Sequence, residues 1–380
     1  MSPSLPSQRH LFDIPREVAY FNCGYMSPLL RSAVEVGREA IQRKAYPWAV
    51  TPPAFFAELK EARNLFARLI GATDDDIAMI PAASYGMAVA ARNLPVRAGQ
   101  RVLMLDEDFP SLVYAWRARC EAIGAESILL QRPADHDWTR VVLEAIDERT
   151  AVAALPTCHW TDGALLDLPR IAHRLREVGA TLAVDATQSL GVMPFDMASA
   201  RPDFLVAPTY KWLLGPYSTG FMYVDPKWHG GEPIEHNWIA REGSEDFGGL
   251  VRYQSGFQPG ARRFDVGEPS NFALLPVAIE GLRQLHAWGI DRIHASVSRL
   301  AAQIVERMAP LGLTAVPDGL RAGHYLGLRR PGGLPPGLGA QLSAQGIWVS
   351  IRGDALRITP HLYNDQHDLD RLVAALSPLL

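Results

Sequence analysis

The sequence predicts an α/β protein built on a mainly parallel sheet, and two observations support this expectation. Short, largely apolar runs alternate with amphipathic helical patterns through the middle of the chain. Such apolar strands are typical of a parallel sheet that helices cover on both faces. The seven candidate strands are Ile77–Ile80, Arg101–Leu105, Ser127–Leu130, Ala151–Leu155, Thr181–Val184, Phe204–Ala207 and Gly220–Val224.

Helices are predicted between these strands, most clearly over Pro110–Ile123 and Leu168–Val178. The pattern changes after about Phe264, and we expect a large α/β domain over residues 20–264 and a smaller α+β domain over 265–380. The N-terminal segment 1–19 is assigned to the smaller domain. Its predicted elements are the helices Phe272–Ala287 and Ile290–Leu311, strands near Tyr325–Leu328, Trp348–Ile351 and Leu356–Ile358, and a closing helix after Asp365.

Composition excludes several classes of function. The 380 residues are 48% hydrophobic and 21% charged, and a formal net charge of −4 predicts binding neither to nucleic acid nor to a membrane. The three cysteines have no metal-type spacing, so we expect no metal site and reduced thiols in a cytoplasmic protein. The irregular, polar stretch His229–Gln258 is expected to be a functional or interface loop.

Lys211 is the most informative residue, because it lies between an apolar strand and the segment Trp212–Pro216. A lysine desolvated by such neighbours loses proton affinity and becomes an amine nucleophile that forms Schiff bases. Asp185 ends an earlier buried strand, so both side chains are expected at the carboxyl edge of one sheet. A lysine for the aldehyde carbon and a carboxylate for the ring nitrogen are what pyridoxal phosphate (PLP) requires.

Further residues match the remaining parts of PLP and of an amino-acid substrate. Gln188 is the candidate donor to the ring oxygen, and Ser84 and Tyr210 are candidates for the phosphate, with Ser84 also able to cap a helix. Phe109 is the candidate for the ring face, and Arg357 for the substrate carboxylate. Each has an ordinary alternative when taken alone: a turn, a helix cap, a core aromatic side chain or an interface ion pair.

Four sequence segments resemble the class V group of the fold-type I PLP enzymes, which includes isopenicillin N epimerases, kynureninases, cysteine desulfurases and transaminases. The segments are VDATQSLG at 184–191, TYKWLLGP at 209–216, RRFDVGEPSNFALLP at 262–276 and LRITPHLYN at 356–364. The resemblance runs from about Tyr20 to the C-terminus. It implies the fold-type I architecture, a PLP cofactor and an amino-acid substrate.

The resemblance also implies roles for individual residues. Lys211 would carry the Schiff base, Asp185 would pair with the pyridinium, and Ala83, Ser84 and Tyr210 would contact the phosphate. Family members are usually homodimers, and the segment around Arg263 and Gly267 resembles the one that completes the neighbouring site. Glu268 replaces a threonine often found there in the desulfurases. Substrate contacts are expected from Asn22, His159 and Trp160, although packing is an equal explanation for Trp160.

Departures from the desulfurases bear on the reaction. The desulfurases carry a reactive cysteine shortly before the arginine, whereas residues 349–354 read VSIRGD here. Persulfide chemistry at this loop is therefore not expected. We expect transamination, because the motifs indicate no dedicated apparatus for a β-leaving group, with β-elimination by a C–S lyase or epimerisation as alternatives that use the same base and electron sink. A noncatalytic PLP-binding protein is the alternative of another class, and it is disfavoured because both the lysine and the aspartate are present.

Overall fold

The computed structural model describes residues 4–380, and its centre is a seven-stranded sheet in the order β2-β8-β7-β6-β5-β3-β4. Two further sheets, β11-β12-β9 and β1-β10, are smaller. The strands are β1 (Ala19–Tyr20), β2 (Ile77–Ile80), β3 (Arg101–Leu105), β4 (Glu126–Leu130), β5 (Thr150–Pro156), β6 (Thr181–Asp185), β7 (Phe204–Pro208), β8 (Gly220–Val224), β9 (Leu326–Leu328), β10 (Ile347–Trp348), β11 (Ser350–Arg352) and β12 (Ala355–Ile358).

Helices flank these strands and connect most of them. The α-helices are α1 (Arg31–Arg43), α2 (Ala54–Ile70), α3 (Ala83–Asn93), α4 (Pro110–Ile123), α5 (Trp138–Ala145), α6 (Leu168–Glu177), α7 (Met197–Ala200), α8 (Leu275–Trp288), α9 (Ile290–Met308), α10 (Leu338–Ser343) and α11 (Gln366–Leu376). Short 3₁₀ helices lie at Arg9–Leu11, Pro47–Ala49, Asp74–Asp76, Pro226–Trp228, Phe247–Gly249, Gly260–Phe264 and Ala309–Leu311. Among the described residues, no helix combines the length and apolarity needed to cross a membrane.

The predicted mainly parallel, seven-stranded sheet is confirmed. Strand β8 is antiparallel to both of its neighbours, and the other pairings in the sheet are parallel. Strands β2 to β7 therefore run in one direction. Their carboxyl ends lie on one edge of the sheet, where ligands bind in folds of this type.

Helices cover both faces of this sheet because successive strand residues point to opposite sides. Val102 and Met104 of β3 pack with Trp116 of α4 in one buried cluster. Leu103 and Leu105 pack in a second cluster on the other face, together with residues of α2, α5, α6 and α8. Burial of each large apolar side chain contributes on the order of 2 kcal/mol, so these layers hold the edge loops in place.

Two of the boundaries that differ from the sequence expectation have a physical reason in the fold. The helix predicted over Ile290–Leu311 ends at Met308 and finishes as a 3₁₀ turn, because Pro310 lacks the backbone N–H that an α-helix requires. The strand predicted over Trp348–Ile351 is divided, since β10 pairs with β1 whereas β11 pairs with β12.

The small antiparallel sheet β11-β12-β9 lies within the predicted smaller domain. Strand β1 pairs in parallel with β10, so the N-terminal region is hydrogen-bonded to this part of the chain. The domain boundary at residues 264 and 265 stays a prediction, and Met1, Ser2 and Pro3 of the N-terminal segment lie outside the described residues. The predicted irregular stretch 229–258 contains one 3₁₀ turn and a bridge between Arg241 and Phe257.

Candidate active site

The predicted site residues of the large sheet follow different strands at the same edge. Ala83 and Ser84 follow β2, Phe109 follows β3, and His159 and Trp160 follow β5. Asp185 is the last residue of β6, and Tyr210 and Lys211 follow β7. The parallel sheet thus brings together side chains that are up to 128 positions apart in the sequence, from Ala83 to Lys211.

Lys211 is a buried amine without an acidic partner. Its side chain is 5% exposed, and Nζ lies 5.6 Å from the Phe109 ring centre and 5.3 Å from the Tyr210 ring centre. In the described part of the chain, no carboxylate oxygen lies within 4.0 Å of Nζ. Burial, and then the positive charge of Arg357, lower the pKa of Lys211 to about 7, while Asp185 opposes the shift. The amine is therefore half neutral near pH 7.

Asp185 is a buried carboxylate held by the turn that follows β6. Its Oδ1 accepts a hydrogen bond from the Thr187 backbone N–H at 2.9 Å, which fixes the direction of the carboxyl group. Burial raises the pKa of Asp185 above the usual value, and the positive charge of Lys211 counteracts this shift. A cationic group placed against this carboxylate would relieve its desolvation.

A second buried acid, Asp108, lies close enough to Asp185 for their charges to interact, and the sequence analysis did not assign it a role. Asp108 Oδ1 accepts a hydrogen bond from the Phe109 backbone N–H at 2.7 Å, whereas the buried Oδ2 has no partner among the described residues. Burial raises the pKa of Asp108 to about 8, and the negative charge of Asp185 adds to this. Asp108 is therefore largely protonated at pH 7 in this environment.

The first turn of α3 supplies unpaired backbone donors. Within the described chain, the backbone N–H groups of Ala83 and Ser84 donate no hydrogen bond, as expected at a helix start. Gly86 lets this turn approach β7, because an added Cβ would lie 2.5 Å from Cγ1 of Val206. Ser84 does not cap the helix as expected: Ala82 occupies the N-cap position, and the Ser84 side chain is exposed in the first turn.

Aromatic side chains surround the lysine. The Phe109 ring packs edge-on against Trp160, with ring centres 5.5 Å apart, and the Trp160 indole N–H donates to the Glu107 carbonyl at 2.7 Å. Tyr210 packs against Tyr217, and burial raises the pKa of Tyr210 to about 12, so its hydroxyl stays protonated. This hydroxyl can donate to an anion, and its predicted contact with a phosphate stays a prediction.

Residues 22–27, which we call the strap, connect the seven-stranded sheet to the small sheet β11-β12-β9 across the site. The backbone N–H of Cys23 donates to the Thr359 carbonyl at 3.1 Å, just beyond β12. The N–H of Ser27 donates to the Tyr210 carbonyl at 2.9 Å, next to Lys211. Gln188 is also tied to the strap, since its amide nitrogen donates to the Gly24 carbonyl at 3.1 Å and its amide oxygen accepts from the Trp212 indole.

Arg357 of β12 is a buried guanidinium whose partners are all neutral. Its Nη1 donates to the Trp160 carbonyl and its Nη2 to the Ser350 hydroxyl, both at 3.3 Å. The Ser350 hydroxyl in turn donates a hydrogen bond to the side-chain oxygen of Asn22 at 2.7 Å, so Asn22 is linked to Arg357 through Ser350. Within the described residues, Nε has no partner and no carboxylate lies within 4.0 Å. Such a buried, unpaired charge is costly and is ready to bind an anion.

His159 is not placed to contact a substrate as the sequence analysis expected. The ring is fully buried and stacks on Trp138 of α5, with 5.5 Å between ring centres. Nδ1 is 2.8 Å from the Thr161 hydroxyl, and Nε2 is 3.3 Å from the Asp106 carbonyl. Burial lowers the pKa of His159 to about 4. A neutral imidazole with both nitrogens occupied holds the loop that presents Trp160.

The segment around Arg263 and Gly267 makes contacts within the chain. Arg263 donates to the Gly231 carbonyl at 3.1 Å, and the Gly267 backbone N–H donates to Glu235. Glu268 is exposed and has a left-handed backbone conformation, with φ of 61°. A contribution of this segment to a neighbouring site stays a prediction.

These groups fit PLP in their chemistry. Lys211 offers an unpaired amine for an aldehyde, and Asp185 offers a buried carboxylate for a protonated ring nitrogen. The free N–H groups of Ala83 and Ser84 suit a phosphate, which binds well at a helix start. Phe109 lies beside the amine, where it can cover a flat ring. The orphaned donors and the unpaired lysine are the features that a bound PLP would satisfy.

Comparisons with known proteins identify the family and support PLP as its cofactor. Residues 53–372 match the family described as Aminotransferase class-V. The chain is 29% identical over 322 residues to the uncharacterized aminotransferase YcbU of Bacillus subtilis, with 82% of both chains covered. It is 25% identical over 382 residues to isopenicillin N epimerase of Streptomyces clavuligerus, with 95% of both chains covered.

A solved structure of C-DES, in which glycine is covalently linked to the PLP cofactor, has the same fold. Its TM-score is 0.89 at 17% sequence identity, and the match covers 98% of this chain and 100% of that chain. The family match, which spans most of the sequence, establishes the cofactor as PLP. The chain belongs to the class V aminotransferase family of PLP-dependent enzymes.

Proposed function

We propose that the protein is an aminotransferase that acts at the α-carbon of an amino acid. The observation that carries this proposal is that the site contains both a buried arginine without a carboxylate partner, Arg357, and an amine, Lys211, whose pKa is about 7. An arginine fork binds a carboxylate in two parallel hydrogen bonds, and a base is most effective when its pKa lies near the working pH.

The chain's own residues would work as follows. Arg357 binds the substrate carboxylate and thereby fixes the α-carbon in position. Nζ of Lys211, neutral in half of the molecules near pH 7, removes the α-proton and holds it for transfer to a second carbon. When bound, PLP supplies the electron sink for the charge left on the α-carbon. Phe109 and Tyr210 lie beside the lysine amine and would exclude water from the reacting atoms.

The residues at the carboxyl edge of the seven-stranded sheet would hold the cofactor. Asp185 would keep the ring nitrogen protonated, and Gln188, which has one amide hydrogen left after donating to Gly24, would donate to the ring oxygen. Phe109 would cover the ring. The phosphate would lie against the first turn of α3 and the Tyr210 hydroxyl.

Transamination is favoured over persulfide chemistry by the state of the cysteines. Cys23, Cys120 and Cys158 are all buried and unpaired. Burial raises the pKa of each thiol, in Cys158 to about 12, so none is a ready nucleophile. The relative YcbU is named an aminotransferase, which points the same way.

Two other reactions on the same residues are the alternatives. An epimerase is suggested by the similarity to isopenicillin N epimerase, which extends over 95% of both chains. A β-eliminating lyase is suggested by a structural neighbour described as the cystine C–S lyase C-DES in complex with cysteine persulfide. We also propose a homodimer in which the segment near Arg263 and Gly267 completes the neighbouring site.

A single turnover distinguishes these reactions. The PLP-loaded protein is mixed with each of a panel of amino acids without any keto acid, and keto acid, ammonium and optical purity are measured. An aminotransferase forms at most one keto acid per site and no ammonium, and it continues only when a second keto acid is added. Continuous release of ammonium would identify a lyase, and loss of optical purity without keto acid an epimerase. Inactivity with every amino acid would favour a noncatalytic protein.

A further inference from the structure

A second arginine, Arg352, faces the same space as Arg357, and the reason is the geometry of one hairpin. Strand β11 pairs with β12 so that Ser350 lies opposite Arg357 and Arg352 lies opposite Ala355. Side chains alternate between the two faces of a strand, and directly paired residues share a face. Ser350, Arg352 and Arg357 therefore project from the same face of the small sheet.

Both guanidinium groups lie close to one indole. Cζ of Arg352 is 5.9 Å from the Trp160 ring centre, and Cζ of Arg357 is 6.0 Å from it. Burial lowers the pKa of Arg352, and the positive charge of the nearby Arg357 lowers it further. Two positive charges held over one ring, one buried and one half-buried, repel each other, and an anion bound between or beside them would offset this repulsion.

The chain does not supply that anion. Within the described residues, neither arginine has a carboxylate oxygen within 4.0 Å, and the one side-chain hydrogen bond of Arg352 goes to the Ile351 carbonyl at 2.8 Å. Two acids from neighbouring segments, one in the hairpin turn and one two residues after Trp160, are paired with other arginines. Asp354 pairs with Arg329 at 2.9 Å, and Asp162 pairs with Arg329 at 3.0 Å and with Arg132.

We infer that the substrate is an acidic amino acid, with Arg357 binding its α-carboxylate and Arg352 its side-chain carboxylate. This inference rests on the proposed function for the role of Arg357. It explains why a second arginine without a carboxylate partner lies over the same indole as Arg357. The positive charge of Arg352 also lowers the pKa of Lys211, although less than burial and Arg357 do. It goes beyond the reaction type, because it names the chemical class of the substrate.

Binding of unreactive analogues tests the inference directly. Succinate and glutarate carry two carboxylates, and their monoamides succinamate and glutaramate have nearly the same shape with one charge fewer. Calorimetric titration of the PLP-loaded protein should give dissociation constants about 10- to 100-fold lower for at least one dicarboxylate than for its monoamide, as expected for a hydrogen bond between charged groups. Equal affinity for each acid and its amide would overturn the inference.

Variants show whether Arg352 causes the preference for a dicarboxylate over its monoamide. Arg352→Gln should remove the preference for the dicarboxylate and leave binding of the monoamide within about twofold, because only the side-chain carboxylate loses its partner. Arg330→Gln, which removes the same charge from a residue beyond β9, is the matched control and should keep the preference. Equal weakening of acid and amide by Arg352→Gln would instead place Arg352 on the α-carboxylate and overturn the inference.

Turnover separates this inference from the proposed function. The expected result is a higher kcat/KM for L-aspartate over L-asparagine, or for L-glutamate over L-glutamine. Transamination of neutral amino acids without this preference would contradict the inference and leave the proposed function standing. Continuous release of ammonium would contradict the proposed function. If succinate or glutarate still bound in a way that depends on Arg352, the inference would stand.

Discussion

The proposed site has a cofactor half and a substrate half, and the two are built in different ways. The cofactor half lies on the large sheet, where Asp185, Lys211 and Phe109 come from three separate strand-end loops. The substrate half lies on one hairpin of the small sheet, where Arg352 and Arg357 are five positions apart in sequence. In the first half, long-range packing of parallel strands sets the geometry. In the second half, a short turn and the alternation of side chains set it.

This difference separates what each half contributes. The cofactor half contains a base and an acid whose pKa values are shifted by burial toward neutral pH. The substrate half contains unpaired, positively charged groups. Substitutions in the first half should therefore change the chemistry, and substitutions in the second half should change which molecule is bound.

The largest effect is expected for Lys211→Ala. Loss of both the nucleophile and the base should lower kcat by at least about 10⁴-fold, and it should change the absorbance spectrum of the bound cofactor. Lys60→Ala, which removes an exposed lysine of α2, should leave both unchanged. Full turnover by Lys211→Ala with an unaltered spectrum would show that the cofactor half has been assigned to the wrong lysine.

A smaller effect, on binding, is expected for Arg357→Gln. Loss of the carboxylate fork should lower kcat/KM by about 10- to 100-fold, with most of the change in KM. Steady-state kinetics with a reacting amino acid measures this split, and Arg330→Gln again serves as the control. A fall confined to kcat would contradict the division between a chemical half and a binding half.

The two halves should nevertheless be coupled through charge. In the cofactor-free protein only neutral Lys211 can capture PLP, so the capture rate should rise as pH increases through about 7. Arg357 lowers the pKa of Lys211, so Arg357→Gln should move this rise to higher pH. Arg352→Gln should move it less, because its charge has a smaller effect. Stopped-flow absorbance measures the rate, and identical profiles for wild type and Arg357→Gln would contradict the coupling.

The smallest effect concerns stability and Asp108. Burial raises the pKa of Asp108 from 3.8 to about 8, so the protonated form stabilises the fold and that contribution is lost as pH rises toward 8. Asp108→Asn keeps an acceptor for the Phe109 N–H and cannot ionise. Its free energy of unfolding should therefore increase relative to wild type between pH 4 and pH 8, by about 1 kcal/mol or more. Parallel denaturant titrations at both pH values check this, and a constant difference would contradict it.

The sequence predicted the fold and the groups at strand ends because their signals are local. Lys211, Asp185 and Arg357 each interrupt or end an apolar run, and a charged residue in such a run stands out. Arg352 was passed over, although a signal was present: Gly353 and Asp354 form a two-residue hairpin turn. Strand alternation from that turn would have placed Arg352 on the face of Arg357.

Other features depend on contacts that no local pattern shows. Asp108 is buried by packing of its loop near Asp185, and nothing in the neighbouring sequence indicates an unpartnered carboxyl oxygen. His159 was expected beside the substrate because of the family resemblance around Trp160, but the helix α5 packs against its ring. Trp138 of α5 stacks on the face of the His159 imidazole. In both cases a residue distant in sequence decides the role of a residue that the motif alone leaves open.

The strap has a consequence for how the specificity of this protein can change. Main-chain hydrogen bonds join residues 22–27 to Thr359 on one side and to Tyr210 on the other, so backbone atoms set the spacing between the hairpin and Lys211. Replacing the side chains of residues 350–357 leaves those bonds in place. New substrates could thus be acquired by exchanging residues on the hairpin while the reacting amine keeps its position, which makes this hairpin the natural place to begin redesign.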